Sequence, residues 1–372
     1  MDFINLKQQY NRAKSAINQQ INNVLEHGQF IMGPEVKQLE TRLCEWVEMK
    51  HCVGLSSGTT ALEIALRALG VGQGDEVITP VFSFMATAAV PALLGATPVM
   101  VDIEPKTYNL DPTLLKAAIT KKTKAIIVVD LYGQCADYDA IWEIAHQYNI
   151  PVIEDAAQSL GGLYKDRPAC SLATIACTSF FPSKPLACYG DAGACFSNDA
   201  ALADKMRSLI NHGQTERYQH TQLGTNARID TLQCAILLAK LDLFAEEIEL
   251  RQTVAKYYND ALKNIVSMRP YIEPHNQSVF AQYTIQVPHR EAVRKALAEM
   301  NIPTAVHYPM PMHQQLAMTP YPCHHQTFPV AEQASQSVMS LPFWPYMSEA
   351  EVQKVANALQ ECLSCVCDSV SL

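Results

Sequence analysis

Short apolar runs separated by helical patterns occupy the first half of the chain. The runs at 77–79, 99–103, 125–129 and 151–153 are rich in apolar and β-branched residues, as buried strands usually are. A helical pattern at 137–148 separates the last two runs. Strands that alternate with helices in this way predict an α/β fold with a mostly parallel sheet.

A long helical pattern from about 230 to 262 precedes a part of the chain with a different composition. Glycine is absent after it, proline is frequent, and amphipathic helices are predicted at 290–300 and 349–359. We therefore predict a large α/β domain at residues 1–245, N-terminal helix included, and a smaller C-terminal α+β domain at 246–372.

The stretch 77–101 carries no charged residue and is long enough to cross a bilayer as one helix. Pro80, Pro91 and Pro98 interrupt it, so we predict a strand, a helix at about 84–94 and a second strand. A buried β–α–β unit explains the absence of charge, and no membrane partner is expected.

The composition is that of a folded, acidic protein. Of the 372 residues, 48% are hydrophobic and 17% charged, and 28 Lys+Arg against 37 Asp+Glu give a net charge of −9. An acidic surface repels phosphate backbones, so no nucleic-acid partner is expected.

The 12 cysteines are scattered, and residues 1–10 lack the features of a signal peptide. We expect a cytoplasmic protein with reduced thiols.

Two segments that follow predicted strands offer groups for a charged ligand. A small polar turn around Gly58 and Thr59 precedes a helix and favours an anion, although an ordinary helix cap fits the same residues. In the segment 151–159, alternation sends Glu154 and Asp155 to opposite faces, so they are not an acid/base pair. Asp155 ends a strand, where it can hold a protonated ring nitrogen or cap the next turn.

A third segment contains Lys184, which follows the uncharged stretch 168–183. A lysine in apolar surroundings has a lowered pKa and becomes nucleophilic, although Pro182 and Pro185 also suit an exposed loop. A phosphate-binding turn, a carboxylate for a pyridinium nitrogen and a reactive lysine are the three groups that pyridoxal 5′-phosphate requires.

These segments resemble the DegT/DnrJ/EryC1/StrS sugar aminotransferases, which are fold-type I enzymes that use pyridoxal 5′-phosphate. The resemblance runs from about residue 3 to 346 and is strongest at 151–193, which includes the segments Glu-Asp-Ala-Ala-Gln-Ser and Ser-Phe-Phe-Pro-Ser-Lys. It implies that Lys184 is the Schiff-base lysine, that Asp155 pairs with the pyridine nitrogen, and that Gln158 supports the ring hydroxyl. It also implies that Phe84 stacks on the ring, where core packing is the alternative.

The resemblance assigns further residues to the cofactor phosphate. Gly58, Thr59 and Ser179 are expected to hold it within one chain. Asn226 is expected to reach it from the neighbouring subunit, which implies a homodimer with shared active sites. The family also implies L-glutamate as the amino donor.

Three segments, 131–137, 176–179 and 303–309, are similar to those of the 3-aminotransferases that act on UDP-2-acetamido-2-deoxy-3-oxo-glucuronate in O-antigen synthesis. The carboxylate of such a UDP-linked keto-sugar needs a cation or strong donors, and Arg228, His307 and Tyr308 are the candidates. A salt bridge from Arg228 to an acid such as Asp230 is the structural alternative. The alternative function is that of a 4-aminotransferase acting on a UDP-4-keto-6-deoxy sugar.

Other classes of protein fit the sequence less well. The family members that remove a sugar hydroxyl carry histidine where this chain has Lys184. The glycines at 70–74 superficially suggest the glycine-rich loop of a nicotinamide-dependent oxidoreductase. Their spacing differs from that motif, and a predicted strand follows them where the motif requires a helix. A non-enzymatic protein could bind the cofactor without using it. The presence of Lys184, Asp155 and Gln158 together argues against this alternative. A structural zinc site normally combines two pairs of ligands, but the sequence contains a single CxxC motif, at 362–365. We therefore expect no metal site.

Overall fold

The computed structural model describes the backbone of residues 1–370 and the side chains of residues 1–366. The helices are α1 (Leu6–His27), α2 (Pro34–Val47), α3 (Gly58–Ala68), α4 (Ala86–Leu93), α5 (Leu115–Ala118), α6 (Tyr138–Tyr148), α7 (Ala200–Leu209), α8 (Thr231–Ala261), α9 (Arg290–Glu299), α10 (Pro329–Ser337) and α11 (Glu349–Val370). The strands are β1 (His51–Leu55), β2 (Glu76–Pro80), β3 (Thr97–Val101), β4 (Thr123–Val129), β5 (Val152–Asp155), β6 (Leu163–Tyr164), β7 (Arg167–Pro168), β8 (Ile175–Ser179), β9 (Gly193–Ser197), β10 (Gln214–Glu216), β11 (Gln219–His220), β12 (Asn276–Gln277), β13 (Tyr283–Gln286) and β14 (Val338–Leu341).

A seven-stranded sheet in the order β1-β9-β8-β5-β4-β2-β3 forms the centre of the larger part of the molecule. The pairs β2–β3, β2–β4, β4–β5 and β5–β8 are parallel, and only β9 runs antiparallel to its neighbours. This confirms the predicted α/β fold with a mostly parallel sheet. Because parallel strands end at the same edge, the segments after β1, β2, β4, β5 and β8 all meet there.

Alternate side chains of the sheet pack in separate hydrophobic clusters on its two faces. In β4, Ile127 and Val129 pack with α3, α4 and α7, whereas Ile126 and Val128 pack with α6. Both faces are covered, which explains why the strands read as continuous apolar runs rather than as alternating patterns. The uncharged stretch 77–101 forms β2, α4 and β3, as predicted.

The predicted helical region before the second part of the chain is the single helix α8. Its first half, including Leu237 and Phe244, packs against α2, while Val254 and Tyr258 pack in another cluster with β13, β14, α9 and α11. One rigid helix therefore contributes to two cores. The division of the chain after residue 245, inside this helix, stays a prediction.

Across the described residues, no helix combines the length and the apolar character that a membrane span requires.

Candidate functional site

A cavity of about 460 Å³ lies at the sheet edge where the parallel strands end. It gathers predicted site residues from both halves of the sequence, namely Gly58, Thr59, Phe84, Asp155, Gln158, Ser179, Lys184, His307 and Tyr308. The predicted residues Asn226 and Arg228 are absent from its described wall. The cavity therefore joins the three segments that sequence reasoning selected.

The turn between β1 and α3 forms one end of the cavity. Ser57 caps the helix, because its hydroxyl accepts a hydrogen bond of 3.1 Å from the backbone N–H of Thr60. The first N–H groups of a helix have no intrahelical acceptor, and the helix dipole makes this end positive. Gly58 and Thr59 are the first two residues of α3, and the Ser179 hydroxyl lies beside them. This end is suited to a phosphate.

Two glycines allow the turn to approach the sheet closely. A Cβ atom at Gly58 would lie 2.6 Å from Cβ of Ser179, and a Cβ atom at Gly193 would lie 2.6 Å from the backbone of Ser57. Real Cβ atoms do not approach other atoms so closely. The close packing at this end of the cavity therefore depends on these two glycines.

We expect Gly58→Ala to weaken cofactor binding about tenfold or more, because overpacking costs ~1–3 kcal/mol and moves the Ser179 hydroxyl. The dissociation constant of the cofactor, measured by fluorescence titration, tests this. Gly72→Ala is the matched control, because a Cβ atom at Gly72 meets no atom within 4 Å. Equal affinity of the two variants would contradict the prediction.

Asp155 ends β5 and is buried in the cavity wall. Its Oδ1 accepts a hydrogen bond of 3.1 Å from the backbone N–H of Ala157. Burial raises the pKa of Asp155, while that hydrogen bond, the Lys184 cation and the Thr87 hydroxyl lower it. A buried carboxylate in this position is suited to a cationic partner.

The neighbouring carboxylate, Glu154, lies on the other face of the sheet. It accepts hydrogen bonds from the backbone N–H groups of Cys170 at 2.6 Å and Leu172 at 2.9 Å. This confirms that Glu154 and Asp155 are not an acid/base pair.

Lys184 follows β8 and points into the cavity. Burial lowers the pKa of its amine, and the charge of Asp155 acts in the opposite direction. Among the described residues, none forms a hydrogen bond with the Lys184 amine. An amine with a lowered pKa and no fixed partner is free to act as a nucleophile or a base.

Gln158 and Phe84 lie around the same space. The Gln158 Oε1 accepts a hydrogen bond of 2.7 Å from the Tyr132 N–H, so its amide nitrogen is the group available as a donor. That nitrogen lies 3.4 Å from the Tyr308 hydroxyl. Phe84 is 58% exposed at the cavity wall, which excludes the alternative that it is a core residue.

Asn226 and Arg228 lie together outside the cavity. Asn226 is exposed and pairs with Asn211 through the backbone. Arg228 donates from Nη1 to Oδ1 of Asn211 at 2.7 Å, and its buried Nε has no hydrogen-bond partner within residues 1–366. Arg228 forms no salt bridge with Asp230 or another acid in the described part of the chain.

Sequence reasoning missed some residues that line the cavity and one, Thr87, that contacts a lining residue. Thr87 lies three residues after the predicted site residue Phe84, so sequence reasoning could have placed it near Asp155. Gln282 lies in the C-terminal part, in a segment without a recognisable motif. In the part of the chain that is described, no group of three or more His, Cys, Asp or Glu residues is arranged to hold a metal ion. Cys367 lies outside the residues whose side chains are described.

Comparisons with known proteins agree with this geometry. Residues 11–360 match the DegT/DnrJ/EryC1/StrS aminotransferase family. A UDP-2-acetamido-2-deoxy-3-oxo-D-glucuronate aminotransferase from Pseudomonas aeruginosa is 55% identical over 359 residues, which cover 96% of this chain and 99% of the relative.

Two solved structures are similar over nearly the whole chain. A DegT/DnrJ/EryC1/StrS aminotransferase from Brucella abortus has a TM-score of 0.94 at 39% identity and covers 98% of this chain and 99% of its own. NtdA from Bacillus subtilis, solved with the bound cofactor PMP, has a TM-score of 0.91 at 30% identity, covering 98% of this chain and 85% of its own.

Proposed function

Because the chain belongs to the DegT/DnrJ/EryC1/StrS aminotransferase family, we propose that it transfers the amino group of L-glutamate to C3 of UDP-2-acetamido-2-deoxy-3-oxo-glucuronate. The products are UDP-2-acetamido-3-amino-2,3-dideoxy-glucuronate and 2-oxoglutarate. The choice of sugar rests on the 55% identity to the Pseudomonas aeruginosa enzyme. We place the reaction in the cytoplasm, on the route to an O-antigen sugar of lipopolysaccharide.

The observation that carries the proposal is that Lys184 and Asp155 share one cavity with a phosphate-binding helix end. Pyridoxal 5′-phosphate fits this set of groups, with its phosphate at Gly58, Thr59 and Ser179 and its ring nitrogen at Asp155. When bound, it supplies a carbonyl carbon that carries the amino group and a ring that delocalises the electron pair left by a departing proton.

Each residue then has a defined task. With the cofactor bound, the Lys184 amine would be the nucleophile toward its carbonyl carbon, and Nζ would be the base that moves the donor's α-proton. Asp155 would keep a negative charge beside the ring nitrogen and so keep that nitrogen protonated. The Gln158 amide would donate to the ring hydroxyl, and Phe84 would cover the ring face and limit the entry of water.

We propose that the enzyme is a homodimer in which Asn226 and Arg228 act in the partner's site. Phe30, Ile31 and Met32 are exposed large apolar residues in one short segment. This segment adjoins the start of α8, because the Thr231 N–H donates to the Phe30 carbonyl at 3.2 Å. An exposed apolar surface beside Asn226 and Arg228 is suited to a second copy of the chain.

The assignment of the sugar is tested by incubating the purified enzyme with L-glutamate and either UDP-2-acetamido-2-deoxy-3-oxo-glucuronate or a UDP-4-keto-6-deoxy sugar. We expect a new amino sugar, identified by mass spectrometry, and equimolar 2-oxoglutarate with the uronate. Product from the 6-deoxy sugar alone would establish the alternative, a 4-aminotransferase.

We expect Arg228→Ala to raise KM for the uronate roughly 10- to 100-fold while KM for glutamate changes little, because a charge-assisted bond to the sugar carboxylate is lost. Steady-state kinetics with each substrate varied in turn measure both constants. Arg167→Ala, which removes an exposed arginine bonded to the Ser171 carbonyl, is the control. An unchanged KM for the sugar would refute this role.

A further inference from the structure

A second, much smaller cavity lies behind the turn that carries Lys184, and the proposed mechanism leaves it unexplained. Its volume is about 20 Å³, which is enough for a single water molecule. Ser183 and Lys184 line this cavity as well as the large one, so their turn is the partition between the two. The Lys184 side chain therefore borders space on two sides, and the proposed reaction uses only the large cavity.

The far side of the small cavity is closed by two segments of the chain. One is the N-terminal strap, which we define as residues 3–9, and the other is 344–346. The backbone N–H of Phe343 donates to the Phe3 carbonyl at 3.1 Å, and Nε1 of Trp344 donates to Oε1 of Gln8 at 2.9 Å. These bonds join the two segments to each other behind the Lys184 turn.

Glu247, on α8, binds both segments. Its Oε1 and Oε2 each accept a hydrogen bond of 2.8 Å from Nε2 of Gln9, and Oε1 accepts another of 2.5 Å from the Tyr346 hydroxyl. An amide nitrogen only donates, so the direction of the bonds from Gln9 is fixed. Glu247 is 2% exposed, so solvent does not compete for these bonds. Hydrogen bonds to a carboxylate are stronger than those between neutral groups.

The charged groups around the Lys184 amine favour the large cavity. Asp155 lines the large cavity and attracts the amine in its charged form. The described wall of the small cavity contains no carboxylate, and its other cation is Arg251, which donates from Nη1 to the Phe280 carbonyl at 3.1 Å. While the strap is in place, the amine has no anion behind it and room for only one water molecule there.

We propose that Gln9, Glu247 and Tyr346 are positioning residues that hold the N-terminal strap closed behind the Lys184 turn, so that the amine stays directed into the large cavity. This rests on the proposed function, in which Lys184 is the nucleophile and the base. When the strap opens, water reaches the amine from behind and the turn loses its support. The amine is then hydrated for part of the time and turned away from the reacting atoms.

The first test examines Lys184 directly in the full-length protein without cofactor. Acetylation of Lys184 by acetic anhydride is measured over a range of pH, and the modified peptide is quantified by mass spectrometry. Burial lowers the pKa of the amine, so we expect the midpoint of this profile to lie about one pH unit higher in Gln9→Ala and Tyr346→Phe, in which water reaches the amine. Folded variants with the wild-type midpoint would overturn the proposal.

A matched control is available on the same helix. Gln19 donates to Asn23 at 2.8 Å on the exposed surface of α1, so Gln19→Ala removes a similar bond outside the strap. Because α1 also packs against α8 through Ala13 and Ile17, loss of the strap contacts leaves the helix in place. We expect Gln19→Ala to keep the wild-type profile. An equal change in this control would count against the proposal.

An exchange of partners separates the strap contact from a general loss of stability. Gln9→Glu alone places a second carboxylate beside Glu247 and is expected to open the strap. Adding Glu247→Gln restores an amide–carboxylate pair in the reverse orientation and leaves an oxygen to accept from Tyr346. We expect the double variant to recover most of the wild-type acetylation profile. A folded double variant that behaves like Gln9→Glu would contradict the proposal.

Steady-state kinetics with L-glutamate and the keto-sugar give a second readout. No residue of the strap lines the described wall of the large cavity. We therefore expect Gln9→Ala to lower kcat several-fold while KM for both substrates changes little. A change in KM with kcat unchanged would refute the positioning role. If the wild type aminates no keto-sugar, the proposed function has failed, and the acetylation profiles still decide whether the strap shields Lys184.

Discussion

Replacement of Lys184 by alanine is expected to lower the rate of transamination by about 10⁴-fold, because one side chain supplies both the nucleophile and the base. The amine lies in the cavity with its pKa lowered by burial, and no other lysine lines the described wall. The phosphate-binding end and Asp155 are untouched, so the variant should still bind the cofactor.

The measurement is an absorbance spectrum of the purified protein with pyridoxal 5′-phosphate, before and after L-glutamate. The wild type should show the visible band of lysine-bound cofactor, and glutamate should convert it to a near-ultraviolet band. Lys184→Ala should bind the cofactor without that lysine-dependent response. No band in the wild type, or a band that glutamate leaves unchanged, would remove the support for a glutamate-dependent aminotransferase.

The chain provides a matched control in a second buried lysine. Lys240 is 2% exposed on α8, its ammonium has no hydrogen-bond partner among the described residues, and burial lowers its pKa to about 8. It lies over the Tyr189 ring rather than in the cavity. Lys240→Met removes an unpaired buried charge while keeping much of the volume, and we expect the cofactor spectrum to stay that of the wild type. A Lys240 variant that lost the visible band would show that burial alone does not distinguish Lys184.

The sequence was sufficient for much of the site because the chemistry lies in local segments. The apolar runs before Gly58, Asp155 and Lys184 predict strands, and parallel strands bring their ends to one edge. The geometry of the sheet then assembles the part of the cavity that these segments form, whereas Gln282, His307 and Tyr308 come from the C-terminal part of the chain.

The positions that could not be predicted depend on longer-range contacts. Gln282 reaches the cavity wall from the segment just before β13, far from the parallel strands in sequence, and no motif marks it. Asn226 is predicted to act in the neighbouring subunit, and the role that we propose for Arg228 there also depends on a second chain. In the single chain both residues lie outside the cavity. The predicted domain boundary after residue 245 falls inside α8, and this continuous helix contributes to hydrophobic clusters on both sides of that position.

Asp155→Asn is expected to lower the transamination rate about 10²- to 10³-fold, because a preorganised negative charge beside the ring nitrogen is removed while the shape of the side chain is kept. The adjacent Glu154→Gln is the matched control on the opposite face of the sheet. It removes one acceptor from the turn at Cys170 and Leu172, so we expect a loss of stability of ~1–3 kcal/mol, with turnover per folded molecule within about threefold of the wild type. Rates and urea denaturation of both variants separate the two effects.

The dependence on pH gives the Asp155 prediction a second readout. Burial raises the pKa of Asp155, so as pH falls the carboxyl group gains a proton earlier than an exposed aspartate and the charge beside the ring nitrogen disappears. The affinity of the cofactor-free wild type for pyridoxal 5′-phosphate should therefore decline on the acid side through this raised pKa, and Asp155→Asn, which has no proton to gain, should lack that limb. The Lys184 amine must lose a proton to act as a nucleophile toward the cofactor, so its own acid-side decline remains in both proteins, at a pKa below that of an exposed lysine. Identical acid limbs in the wild type and Asp155→Asn would show that the Asp155 charge is not what cofactor binding needs.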